Sequence, residues 1–108
     1  MTRLTAIVPI LFVFTLALLF SGTAQALDGK ALYTSKGCTA CHGPGGSKPL
    51  APGYPITKGQ DETYIINQIK AFKSGERKGA NSALMAPMAQ TLSDAEAAAI
   101  AKYLSSEK

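Results

Sequence analysis

Two cysteines and one histidine are all that this chain has of either residue, and they stand together as Cys38-Thr39-Ala40-Cys41-His42. Cys-x-x-Cys-His is the attachment signature of a c-type haem. The spacing follows from the chemistry. Two thiols one turn apart add to two vinyl groups on adjacent edges of one macrocycle. The next residue is then held under the iron, where a neutral imidazole is a good ligand. Thr39 and Ala40 are small enough to fit between chain and ring.

Other uses of these residues fit poorly. A structural zinc site wants four nitrogen or sulfur ligands, and the chain offers three such side chains. A thioredoxin-like redox pair wants a βαβ setting, which the surrounding pattern lacks. A disulfide is the default for a cysteine pair in an exported protein. Across a two-residue gap, however, it would staple almost nothing.

The first 26 residues read as a leader. Met1-Thr2-Arg3 is a short basic start, and Leu4 to Phe20 is apolar apart from Thr5, Pro9 and Thr15. Small residues and Ala24-Gln25-Ala26 follow, which is the order of a secretory signal with an A-x-A cleavage site. The rival is an uncleaved anchor, but the apolar run is near the lower limit for spanning a bilayer. Cleavage after Ala26 leaves a domain over 27–108. A domain of about 80 residues sits near the limit of what side chains alone can stabilise. This one has no Trp, and much of its apolar content is Ala. A cofactor is the natural source of further buried surface.

Charge excludes some partners. Without Arg3 there are ten Lys and Arg against seven Asp and Glu. The lysines, at 30, 36, 48, 58, 70, 73 and 78 among others, are scattered, and no basic block points to nucleic acid. A mildly basic surface suits solvent or an acidic redox partner.

The pattern along the domain is helical. Asp28 caps a short helix running through Lys36, and Gly37 ends it. A loop rich in Pro and Gly follows, from Gly43 to Pro55. Asp61 caps a second helix, where Ile65, Ile69 and Phe72 recur at helical spacing up to Gly75. A second irregular stretch is expected from Glu76 to Thr91. Ser93-Asp94-Ala95-Glu96 is a capping box that opens a terminal helix. Ala97, Ile100, Ala101 and Leu104 form its apolar side. Too few Val and Thr, and too little alternation, argue against a sheet. The expectation is an all-α domain of three main helices and two long loops, and long loops in so small a domain are usually functional.

From Asp28 onward the chain resembles the small class I cytochromes c of bacteria. It is most similar to the single-haem unit that occurs once in some carriers and twice in their two-haem relatives. The attachment motif is the specific part. Ala51-Pro52-Gly53-Tyr54-Pro55, Ala71-Phe72-Lys73-Ser74-Gly75 and the stretch from Met85 to Tyr103 support it. The resemblance implies a cytochrome c fold around one covalently bound haem c, with the first and last helices crossing at Gly29 and Tyr103. It implies that a proline carbonyl accepts the second ring N–H of His42, Pro52 first and Pro55 second. It implies that Tyr54 lies on the ring. Arg77 is a candidate partner for a haem propionate, and Asn81 for the ligand sulfur.

With no other histidine, a thioether is the best remaining sixth ligand, and Met85 and Met88 are the two candidates once Met1 leaves with the leader; a lysine nitrogen would first have to lose its proton. Reach alone leaves both open. The register of the similar two-haem relatives, counted back from the serine that caps the last helix, implies Met85, with Met88 as an apolar filler beside the ring. Two axial ligands leave no open position, and no second histidine or general base stands nearby. The expected function is a periplasmic one-electron carrier and not an enzyme. The alternative is a haem c subunit of a larger oxidoreductase, such as a flavoprotein sulfide dehydrogenase. Partners are then redox proteins, among them a flavoprotein dehydrogenase or a terminal oxidase. Any contact with a membrane runs through them or through an uncleaved leader.

Overall fold

A computed structural model describes residues 27–79 and 81–107. The expected leader, residues 1–26, lies outside the described residues. Among the described residues there is no strand, and no helix is long and apolar enough to cross a membrane.

Five α-helices follow one another: α1 (Gly29–Ser35), α2 (Cys38–His42), α3 (Glu62–Ser74), α4 (Ser82–Gln90) and α5 (Asp94–Ser106). The three expected helices are α1, α3 and α5, and their caps are the expected ones. The Asp28 carboxylate accepts from the Ala31 N–H at 3.1 Å. The Asp61 carboxylate accepts from the Tyr64 N–H at 2.9 Å. At α5 both bonds of the Ser93–Glu96 capping box are present, at 3.0 and 3.1 Å.

Two elements differ from expectation. The attachment motif is itself a five-residue helix, separated from α1 by Gly37 at φ 80°. That left-handed residue breaks the chain direction, so α2 starts afresh instead of prolonging α1. The second difference is α4, where the sequence suggested irregular chain. Ser82–Gln90 is almost wholly Ala, Leu, Met and Gln, all strong helix formers. Pro87 lies inside this helix. It removes only the bond to the Ala83 carbonyl, and flanking residues of high propensity carry the helix past that gap.

The core gathers Tyr33 from α1, Ile65, Ile69 and Phe72 from α3, Ala89 and Leu92 at the end of α4, and Ala97, Ile100, Ala101 and Leu104 from α5. α1 packs on α5, and α3 on both α4 and α5. The closest approach is at Gly29, where a Cβ would strike the Ala99 carbonyl and come within 2.9 Å of the Tyr103 Cβ. The Tyr33 and Tyr103 rings meet beside it, with centroids 5.8 Å apart. Three alanines in so short a list leave a thin core, as the composition indicated.

Candidate haem site

One cleft runs between these elements. α2 gives it Cys38, Cys41 and His42; the following loop gives Gly53, Tyr54, Pro55 and Thr57. α3 gives Ile65, Ile69 and Phe72, α4 gives Leu84, Met85 and Met88, and α5 gives Ile100 and Leu104. The lining is mostly apolar, and the two thiols and the imidazole lie on the same wall system as both thioethers.

His42 is held by its second nitrogen. Nδ1 lies 2.9 Å from the Pro55 carbonyl oxygen. A carbonyl can only accept, so the ring proton sits on Nδ1 and the lone pair is on Nε2, the form that binds a metal. The acceptor is therefore Pro55, not Pro52, the first candidate. Ala51 to Tyr54 folds into a turn closed by the Tyr54 N–H on the Ala51 carbonyl, 3.3 Å. That turn leaves Pro52 exposed and off the cleft wall, and delivers the Pro55 carbonyl to the ring.

The backbone around His42 is tied down as well. The Tyr33 hydroxyl donates to the Gly43 carbonyl at 2.7 Å, and the Leu50 N–H to the Cys41 carbonyl at 2.9 Å. Burial pushes the Tyr33 phenol up to about 12, partly offset by the neighbouring Thr57 hydroxyl. Thr57 Oγ1 lies near that phenol without a hydrogen bond of sound geometry and is buried without a partner among the described residues. Burial also raises the Cys38 thiol, so that the free side chain is neutral at ordinary pH.

From α4, Met85 lines the cleft half-buried and packs against the core. Met88, one helical turn on, is 37% exposed, and its methyl lies 3.4 Å from where a Gly37 Cβ would be. Arg77 stands at the edge of the cleft. It donates to the Gln68 amide oxygen at 3.0 Å and its guanidinium carbon lies 4.5 Å from the centre of the Phe72 ring. Asn81 heads α4 without capping it, and its amide nitrogen would be 3.2 Å from a Cβ on Gly53.

The family model for cytochrome c matches residues 26–108, which takes in all that follows the expected leader. The chain belongs to the cytochrome c family. Its relatives include cytochrome c-554(548) of Halomonas halodenitrificans, 55% identical over 71 residues that make up 66% of this chain and 84% of the relative. They include a thiosulfate dehydrogenase electron acceptor of Thiomonas intermedia, 40% identical over 92% of this chain and 44% of the relative. Cytochrome c4 of Stutzerimonas stutzeri is 37% identical over 82% of this chain and 42% of its own length. The chain thus spans less than half of these last two proteins, but most of the first.

As a cytochrome c, the chain is a small single-haem electron-transfer protein, and the residues present suit that group. The cleft is apolar where a macrocycle needs contact. It brings the two thiols to the imidazole, fixes the imidazole tautomer, and includes two thioethers in the same lining. Tyr54, Arg77 and Asn81 also line the cleft. The roles of Tyr33 and Thr57 were not legible in the sequence: a tyrosine in a short amphipathic helix and a threonine in a loop carry no signal of their own.

Proposed function

We propose that the mature chain, residues 27–108, is a periplasmic one-electron carrier with haem c bound through Cys38 and Cys41 and with His42 and Met85 as axial ligands. Residues 1–26 would direct export and be removed. The observation that carries the reading is the convergence of Cys38, Cys41, His42 and Met85 on one apolar cleft. The iron supplies the electron exchange. The chain's own residues orient and enclose it: Pro55 sets the His42 ring, and the apolar walls exclude water. A thioether is a weak donor to ferric iron, so this ligand pair favours the reduced state. Arg77, with N–H donors beyond the one given to Gln68, is the proposed propionate partner.

Met85 is preferred to Met88 for a reason the helix adds. Both lie on α4 one turn apart, so they compete for the same place and cannot be ranked by extended reach. Met85 packs against the core, whereas Met88 is exposed and lies toward Gly37. The test is to replace each by Ala and follow the weak near-infrared band from sulfur to ferric iron. Loss of the band in Met85→Ala alone is expected. Loss in Met88→Ala alone would reverse the assignment, and a purified protein without the sharp bands of reduced low-spin haem c would overturn the whole reading.

A second reading is a haem subunit of a larger oxidoreductase, with a flavoprotein dehydrogenase as one form. The relatives named thiosulfate dehydrogenase electron acceptors favour a dehydrogenase as the electron donor in either case. Purification from periplasm separates the two: the carrier elutes alone, and the subunit arrives with a large partner.

A further inference from the structure

α4 packs on α3, but its own backbone is poorly secured along most of its length. No side chain caps its first turn, and Pro87 interrupts its hydrogen bonds midway. Its C-terminal end is different. The Lys36 ammonium donates to the Thr91 carbonyl at 3.2 Å, and the Lys73 ammonium donates to the next carbonyl, Leu92, at 2.7 Å. Gln90 returns the tie, its side-chain amide donating to the Lys73 backbone carbonyl at 2.7 Å. Lys36 caps the end of α1, two residues before Cys38, and Lys73 lies in the last turn of α3. Two ammonium groups from two different helices therefore hold adjacent carbonyls where α4 ends. Both carbonyls lie just past Gln90, the last residue of α4, where a cation also faces the negative pole of the helix. Each ammonium also has an anion to steady it: Glu96 at 3.3 Å from Lys36, and Asp94 at 4.0 Å from Lys73. Both lysine side chains are less than one third exposed, so solvent screens the ties only in part.

We propose that Lys36 and Lys73 are positioning residues for the sixth iron ligand. They pin the C-terminal end of α4 to α1 and α3, and so set how readily the Met85 sulfur leaves the iron. The proposal rests on the assignment of Met85 made above. Met85 lies less than two helical turns from Thr91, about 9 Å along the axis. With that end pinned, Met85 can move away only by bending α4 at the Pro87 gap. With it free, only the packing of α4 on α3 resists a swing of the whole helix.

The test uses the haem-loaded protein at neutral pH, with imidazole as the probe that displaces the thioether from ferric iron. Lys36→Met and Lys73→Met keep the aliphatic stem and remove the ammonium. Each should raise the affinity for imidazole about tenfold, the size expected when a charge-assisted hydrogen bond is lost. Lys73→Arg should restore most of the original behaviour. Gln90→Ala removes the reciprocal bond, from α4 to the Lys73 backbone carbonyl, leaves both ammonium groups in place, and should raise imidazole affinity by a smaller factor. It decides the matter if Lys73→Met does not accumulate folded protein. Variants that melt earlier but bind imidazole as the parent does would overturn the proposal and leave the lysines a purely structural role. Met85→Ala, measured alongside, distinguishes the two failures: if it keeps the near-infrared band, the ligand assignment has failed and not the clamp.

Discussion

The two walls of the cleft are secured in opposite ways. On the histidine side the proposed ligand, His42, sits inside a five-residue helix whose surroundings are tied by backbone carbonyls: Pro55 to the ring, Gly43 to Tyr33, Cys41 to Leu50. On the methionine side the proposed ligand, Met85, sits on a helix interrupted by proline and held at one end by long charged side chains. Short backbone ties leave little freedom, whereas lysine stems have several rotors and cost entropy to fix. The histidine side is therefore built to stay, and the methionine side is where ligand exchange would start.

The largest expected effect comes from detaching the ring on the firm side. Cys38→Ser combined with Cys41→Ser should yield a largely unfolded chain, because the core is thin and the ring supplies much of the buried apolar surface, about 25 cal/mol per Å². Circular dichroism and thermal melting would check it. Native-like helix content with a cooperative melt would mean that the histidine side does not depend on the ring at all. His42→Ala should either abolish maturation or leave an attached, high-spin haem. A low-spin variant with unchanged potential would contradict the contrast between the walls.

A smaller effect is expected at the α1–α5 contact, which supports the firm side from behind. Gly29→Ala puts a methyl into the Ala99 carbonyl and should cost about 1–3 kcal/mol, the range for overpacking. Denaturant unfolding measures it. The near-infrared band of Met85 should survive, since α4 does not touch that contact; its loss would show that the two walls are coupled more tightly than their ties suggest.

The smallest effect sharpens the role of Tyr33. Tyr33→Phe removes one buried hydrogen bond and should cost about 1 kcal/mol at neutral pH. It should also change the alkaline limb. The folded phenol titrates near 12, above its ordinary value near 10. Its contribution to stability is thus complete below pH 10 and falls away as pH rises toward 12. Melting temperatures of parent and Tyr33→Phe measured from pH 8 to 11 should converge at the alkaline end. A constant gap would place the hydroxyl outside any titrating network.

By itself the sequence determined the haem chemistry, the helical class and the three capped helices. Those are local facts: Cys38, Cys41 and His42 lie within one turn, and Asp28, Asp61 and the Ser93–Glu96 box act on backbone groups three residues away. The family resemblance added the need for a proline carbonyl and ranked Pro52 first. Only the tertiary structure chose Pro55, because the choice depends on where a turn aims a carbonyl and not on residue type. The helical state of Ser82–Gln90 was also hidden, since a single proline outweighed in the reading what eight flanking residues could sustain. The clamp at its end was the least legible of all. Lys36 and Lys73 look like any solvated lysines until three helices bring their ammonium groups to two neighbouring carbonyls, and hydrogen bonds between residues so far apart in the chain leave no trace in a single sequence.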